Sequence, residues 1–451
     1  MQLISKNNKI FFFSFLLFLI PLSFVFSIFI LEIISLIIIF SFLFSSSLNE
    51  KKEFLNLKLV KLIFVFWIFI IISALASEFK LFSLKSSLFY IRFLIFALSI
   101  SWLINSEKKF FNILFYSFLF IFLFLSISGI YEFLFKKYCL EPFKFNYDFN
   151  LKEGLICSKK YFIGNSIRSD RLSGLFGDEM IIGSFLSRLL PLVLAMFFFS
   201  DQNTKKKISP FLIIVLIFSS IVIILSGERV AFFYFLIIFF SSFVLIDDPR
   251  KFFFCFFGFA FFVIIFLYAN KDIKYRLIDQ TYYQITNKFI TDKGDNREIV
   301  FFSKQHNAHA VSALKIFSDN VLIGSGPNNF RNLCSRKNYN ILYACTTHPH
   351  NTYIQLLSET GVLGILIPTS FLIIILKKIL ILLSYKFRNN TITDREKGEF
   401  LLLTCFLISL FPLIPSGNFF NNWMNFVYYT PLGIYINFII LNKSNISHKV
   451  S

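Results

Sequence analysis

Charged residues are scarce in this 451-residue chain, at 16%, and acidic ones are scarcest, with 26 Asp and Glu against 45 Lys and Arg. A soluble chain of this length needs more polar surface to cover its core. The alternation of apolar and polar residues that marks a membrane barrel strand is missing as well. Apolar residues come instead in blocks of about 20, enough to cross about 30 Å of hydrocarbon as helices. Only helices satisfy their own backbone groups in lipid, so the chain reads as an all-α polytopic membrane protein. No Gly-x-x-x-x-Gly-Lys loop occurs, which argues against ATP use. No internal repeat is visible, and repeats are common in transporters. The first apolar block follows Lys6 and Lys9 with no small-residue cleavage site before Glu32, and reads as an uncleaved anchor. The 69 Phe residues stand where Leu often would, a coding bias more than a functional sign.

About twelve spans are expected, starting near 10, 31, 60, 86, 110, 180, 210, 229, 252, 361, 399 and 423. Basic clusters fall in alternate short connections: Lys51, Lys52 and Lys58; Lys108 and Lys109; Lys205, Lys206 and Lys207; Arg250 and Lys251; Lys386, Arg388, Arg395 and Lys397. Lys443 and Lys449 follow at the end. By the positive-inside rule both termini are then inside. Residues 1–135 hold spans one to five, 136–179 a first outer loop, and 180–269 spans six to nine. Residues 270–360 form a large outer loop, and 361–451 hold spans ten to twelve with an inner tail.

Long loops are exempt from the positive-inside count, so the Lys and Arg of both outer loops need another reason. An anionic ligand outside supplies one, and a solvated basic surface is the other. Cys139 and Cys157 share the first loop, and Cys334 and Cys345 the second. In an oxidising compartment such pairs suggest disulfides Cys139–Cys157 and Cys334–Cys345, with free thiols as the alternative. Cys255 and Cys405 lie in apolar spans.

The most informative segment runs from His348 to Gly364. Asn351 is a good N-cap, and Pro349 keeps the helix from running back into the histidines. Tyr353, Leu356, Leu357 and Thr360 then share a helix face, and Gly361 and Gly364 allow a close turn into the next span. His350 stands just before a helix N-terminus, whose partial positive charge favours neutral, proton-accepting imidazole and attracts phosphate. The alternative is that His350 only helps to cap a re-entrant helix.

A His followed by Asn, nine residues and Gly-x-x-Gly resembles the signature of the O-antigen ligase family, carried here by His350, Asn351, Gly361 and Gly364. Its place at the end of the large loop, between the ninth and tenth spans, is similar too. Arg171-Leu172-Ser173-Gly174 resembles that family's Arg-x-x-Gly approach to its sixth span. Ser226-Gly227-Glu228-Arg229 is similar to its Ser-Arg at the eighth span. Gly324-Ser325-Gly326 through Phe330 resembles its Gly-x-Gly-x-x-x-Phe turn. Asp178-Glu179-Met180 departs from the family's common Asn-Pro-Asn.

The resemblance implies a GT-C-like membrane glycosyltransferase of the bacterial inner membrane. Its termini would be cytoplasmic and its site periplasmic, and its substrate a glycan carried on undecaprenyl pyrophosphate. The acceptor is a hydroxyl of lipid A–core for a ligase, or of a second lipid-linked glycan for a polymerase; no cofactor, metal or nucleic acid is implied. His350 becomes the candidate base. Arg171 and Arg229 become candidates for the pyrophosphate, since a guanidinium holds two phosphate oxygens and stays charged; helix anchoring and ordinary loop charge are their plainer roles. Arg188, a charge inside the sixth span, either pairs with Asp178 or Glu179 or lines a carrier cavity. His348 supports the His350 network. His306, His309, His348 and His350 are enough imidazoles for zinc, but no carboxylate or Cys pattern completes a familiar site. Gly324-Ser325-Gly326 reads as a phosphate nest or a plain turn. Asn residues in 415–423 are weak candidates for sugar contact. A lipid or solute transporter is the reading from another class, and the absence of repeats counts against it.

Overall fold

The computed structural model of the protein describes residues 6–135, 171–177, 179–285, 303–389 and 391–450. Cys139, Cys157 and Asp178 therefore lie outside the described residues. Among the described residues there is no strand. The first helices are α1 (Lys6–Phe26), α2 (Ile28–Ser45), α3 (Leu48–Leu55), α4 (Lys58–Ala76), α5 (Lys80–Leu88), α6 (Ile91–Ser106) and α7 (Lys108–Phe135). Then come α8 (Ile182–Phe199), α9 (Gln202–Leu225), α10 (Arg229–Ser241), α11 (Pro249–Ala269), α12 (Lys271–Lys274) and α13 (Gln280–Ile285). The last are α14 (Lys304–Asp319), α15 (Phe330–Leu333), α16 (Thr352–Asn389), α17 (Asp394–Ser409) and α18 (Asn422–Val450).

Among the described residues, 9 helices are long and apolar enough to cross a membrane, or 10 if the pair Phe253–Ala269 and Lys271–Gln284, bent by 109°, is one span. Helices stand near all the expected starting positions. However, α10 has 13 residues and α17 has 16. At the α-helical rise these span about 20 and 24 Å, short of a hydrocarbon core of about 30 Å.

The surface chemistry is that of a chain dissolved in lipid. Phe254, Phe257 and Phe261 of α11 are exposed, as are Phe11 and Phe15 of α1. Hydroxyls within spans turn back onto their own helix: Ser23, Ser41 and Ser99 each donate to the carbonyl four residues earlier. With no water in hydrocarbon, that carbonyl is the nearest acceptor.

The chain divides into two compact units: residues 1–34, 107–280 and 381–408, and residues 35–106, 281–380 and 409–451. In the first, α7 packs on α1 and α9, and α8 packs on α9 and α10. Phe185 of α8 meets Phe24, Phe122 and Phe176. Asp247 is shared by Lys386 at 2.7 Å and Lys397 at 3.0 Å. In the second unit, α6 lies along α18, where Gly433 lets the helices close on the Ala97 carbonyl. Ala313, Ile316, Phe330, Leu333 and Cys334 form a small core under the polar segment, joined by Phe79, Tyr339 and Ile354.

Candidate active site

In the second unit, Asn351 caps α16. Its Oδ1 accepts from the N–H groups of Tyr353 and Ile354 at 3.0 and 3.1 Å. Its Nδ2 donates to the Pro412 carbonyl at 2.8 Å, so the cap also grips the connection before α18. His350 sits at φ 56°, a left-handed conformation that L residues rarely adopt. Its carbonyl accepts from the Ser416 N–H at 2.9 Å, and Thr352 and Ser416 hydroxyls meet at 2.8 Å. A strained backbone held by several such contacts is common at functional sites.

Gly361 breaks α16, with φ 66° and ψ −170°. The break frees backbone groups on both sides, and residues 321–326 satisfy them. The Val362 and Leu363 N–H groups donate to the Val321 and Leu322 carbonyls at 2.9 and 3.2 Å. In return the Ser325 and Gly326 N–H groups donate to the Ser358 and Glu359 carbonyls at 3.0 and 2.8 Å. The glycine-rich turn is therefore not an open phosphate cradle: the Gly324 N–H also goes to the Asn320 carbonyl, at 3.0 Å. The Glu359 carboxylate accepts from the Phe330 N–H at 3.1 Å and the Gln355 amide at 3.0 Å. Gly364 permits close approach to Phe69 of α4.

The loop after α17 closes the other side. Gln355 Nε2 donates to Asn418 Oδ1 at 2.7 Å, and the Phe419 N–H donates to Gln355 Oε1 at 2.9 Å. Asn418 Nδ2 donates to Asn328 Oδ1 at 3.0 Å. These amides answer one another, which makes them struts between segments.

Three imidazoles converge on that of His350. Its ring centroid lies 4.1 Å from that of His348, 5.3 Å from His309 and 5.6 Å from His306. His348 Nε2 donates to the Ser416 carbonyl at 3.3 Å, and its Nδ1 meets the Thr347 hydroxyl at 2.9 Å. Burial pushes the His350 imidazole down to about 3, with neighbouring His348, His306 and His309 adding to the effect. Burial likewise pushes His348 down to about 4, against the opposing pull of the Ser416 carbonyl. Both rings are neutral at physiological pH, the form that accepts a proton. Among the described residues no group of three or more His, Cys, Asp or Glu side chains is arranged to hold a metal ion. Cys334 and Cys345 are bonded to each other, closing the loop that precedes the histidine segment.

In the first unit, Arg171 pairs with the buried carboxylate of Glu228 at 3.3 Å and donates to the Met180 carbonyl at 2.5 Å. No described protein atom accepts from its buried Nε. Glu228 also accepts from the Gly183 N–H at 2.8 Å and the Ser184 hydroxyl at 2.5 Å, capping α8. Glu132 fixes the approach by accepting from the Ser173 and Gly174 N–H groups. Arg229 opens α10 within electrostatic reach of Arg171, and Arg276 Nε donates to the Gly227 carbonyl at 2.8 Å. Arg188 is buried beside Tyr234. It donates to the Tyr234 hydroxyl at 3.2 Å and lies 4.8 Å over that ring. Tyr234 is on the neighbouring helix, so this contact ties α8 to α10.

The structure thus groups His350, His348, Asn351, Gly361 and Gly364 in the second unit, and Arg171 with Arg229 in the first. Sequence reasoning missed the roles of Glu228, Glu132, Glu359, Gln355 and His309. Of these, Glu228 carried a signal: an acid beside the Ser-Arg pair, at the edge of an apolar block.

Fold and site together define a polytopic helical membrane protein with an imidazole cluster at the head of a broken helix. Residues 183–369 match the family model described as O-antigen ligase, so this stretch of the chain is similar to that family. Members of the family are enzymes acting on lipid-linked glycans, as ligases or polymerases of the glycosyltransferase kind. No curated protein matches the chain.

Proposed function

We propose that the protein is an inner-membrane glycosyltransferase with a periplasmic site, moving a glycan from undecaprenyl pyrophosphate onto an acceptor hydroxyl. The acceptor class in this reading is lipid A–core, which makes it a ligase. The observation that carries this reading is the neutral His350 imidazole at the capped head of α16, inside a matched O-antigen ligase domain.

In the proposed step the acceptor oxygen forms a bond to the anomeric carbon while the bond to pyrophosphate breaks. The pyrophosphate leaves with the electron pair, and His350 takes the acceptor's proton. Direct displacement inverts the anomeric centre. Cleavage of the sugar–pyrophosphate bond supplies the driving force, so neither ATP nor metal is needed. Arg171 and Arg229 are proposed to meet the pyrophosphate. The unaccepted Arg171 Nε supports this, because Glu228 uses only one edge of that guanidinium.

A deletion strain examined by lipopolysaccharide gel tests the assignment. Loss of a ligase leaves core without O-chain while polymer accumulates on the carrier; core bearing a single repeat unit instead assigns a polymerase. Unchanged glycans with altered solute movement would replace both readings with a transporter. For the site, His350→Ala is expected to abolish transfer in a protein that still inserts, and retained transfer removes His350 from the mechanism.

A further inference from the structure

A base that takes a proton in a buried place must pass it on before the next turnover. His350 sits among three other imidazoles, and burial disfavours a lasting positive charge there. The hydrogen bonds of these neighbours differ. His348 has both ring nitrogens engaged, by the Ser416 carbonyl and the Thr347 hydroxyl. His306 Nδ1 lies 2.6 Å from the Ser303 hydroxyl.

His309 is different. It is buried on α14, and its Nδ1 lies 2.8 Å from the Ala344 carbonyl oxygen. A carbonyl only accepts, so Nδ1 carries the hydrogen and Nε2 of the neutral ring carries the lone pair. The Ala344 carbonyl is itself held in place, since Ala344 precedes Cys345, which is bonded to Cys334. Ring centroids 5.3 Å apart bring the edge nitrogens of His309 and His350 within hydrogen-bond reach, about 3 Å, when the rings turn toward each other.

We propose that His309 relays the proton that His350 takes from the acceptor hydroxyl, receiving it on Nε2. The relay rests on His350 being the base. The His350 N–H bond breaks and a His309 Nε2–H bond forms, so the charge moves to His309 and His350 returns to neutral; His309 then gives the proton from Nε2 to a water molecule as product leaves, and both rings are neutral for the next turnover. The new imidazolium then strengthens the Nδ1–H bond to the Ala344 carbonyl, because a charged donor makes the stronger bond. His309 acts through His350 and does not contact the reacting carbon. The groups facing the pair are His306 and His348, with Arg331 adding positive potential at His348.

The test uses the purified full-length protein with an undecaprenyl-pyrophosphate-linked oligosaccharide and lipid A–core. Asn at position 309 keeps an N–H donor for Ala344 and removes the Nε2 lone pair. His309→Asn is expected to lower kcat by about 10- to 1,000-fold with KM unchanged, and imidazole in the buffer to restore part of the rate in His309→Ala. Wild-type activity in His309→Asn overturns the relay. The unsubstituted protein gives a second readout that does not depend on a variant folding. In mixtures of light and heavy water, steady-state turnover rates should follow a bowed line, because two proton transfers contribute to each cycle, and a straight line overturns the relay. If His350→Ala stays active, the base assignment fails first. If His350→Ala is inactive while His309→Asn is unimpaired, only the relay fails.

Discussion

Replacing Gly361 with Ala puts a methyl group where the structure has no room for one. The backbone there has φ 66° and ψ −170°, and a Cβ would run into the Leu322 carbonyl and the Ile323 N–H. Holding a non-glycine residue in such a conformation costs about 1–3 kcal/mol. Relieving the overlap means separating residues 321–323 from α16. That forfeits the Val362 and Leu363 hydrogen bonds to Val321 and Leu322, at about 1 kcal/mol each. The sum, about 3–5 kcal/mol, is expected to lower the unfolding midpoint by on the order of 10 °C for a unit of this size. Thermal unfolding of the detergent-purified variant, followed by intrinsic fluorescence and paired with a transfer assay, measures it. Gly364→Ala is the comparison: it meets the Thr360 side chain and Phe69 but carries no unusual backbone angle, so its loss should be smaller. Equal midpoints and full activity for Gly361→Ala would refute the argument that the break locks turn to helix.

Acid titration offers a second check. The folded His350 and His348 imidazoles titrate at about 3 and about 4, below the ordinary value of about 6.5 that the unfolded chain should show. Between those limits the unfolded chain binds protons that the folded one does not, so their contribution to stability is full above about 6.5 and is lost as pH falls. The acid limb of kcat/KM should likewise lie well below 6.5, and a midpoint at the ordinary histidine value in a pH–rate profile would contradict it. Glu228→Ala removes the cap of α8 and the partner of Arg171. A loss of about 2 kcal/mol is expected, with Glu228→Gln milder because its amide oxygen still accepts from Gly183; equal unfolding midpoints for the two variants would count against the cap.

What the sequence made legible was local. Asn351 lies next to the helix it caps, and Gly361 breaks the helix it belongs to, so residue type and spacing were enough. The apolar blocks announced their helices because lipid leaves the backbone no other choice. Contacts between distant segments were hidden. Nothing in the spacing of His306 and His309 says that α14 lies beside His350, because that neighbourhood depends on how the loop folds back. Arg188 could be read as a costly charge but not assigned to Tyr234, which lies on a different helix. For the glycine-rich turn the sequence left both a phosphate nest and a plain turn standing, because it does not show that residues 358–359 come from far along the chain to fill it.

That filled turn changes how solution anions should behave toward the protein. Backbone amides that would attract any passing phosphate are already answered by groups belonging to the chain, with the Glu359 carboxylate alongside. Free phosphate, nucleotides and sulfate therefore find no welcome at this glycine-rich corner. The corner works as a joint between turn and helix, closed by the chain's own groups.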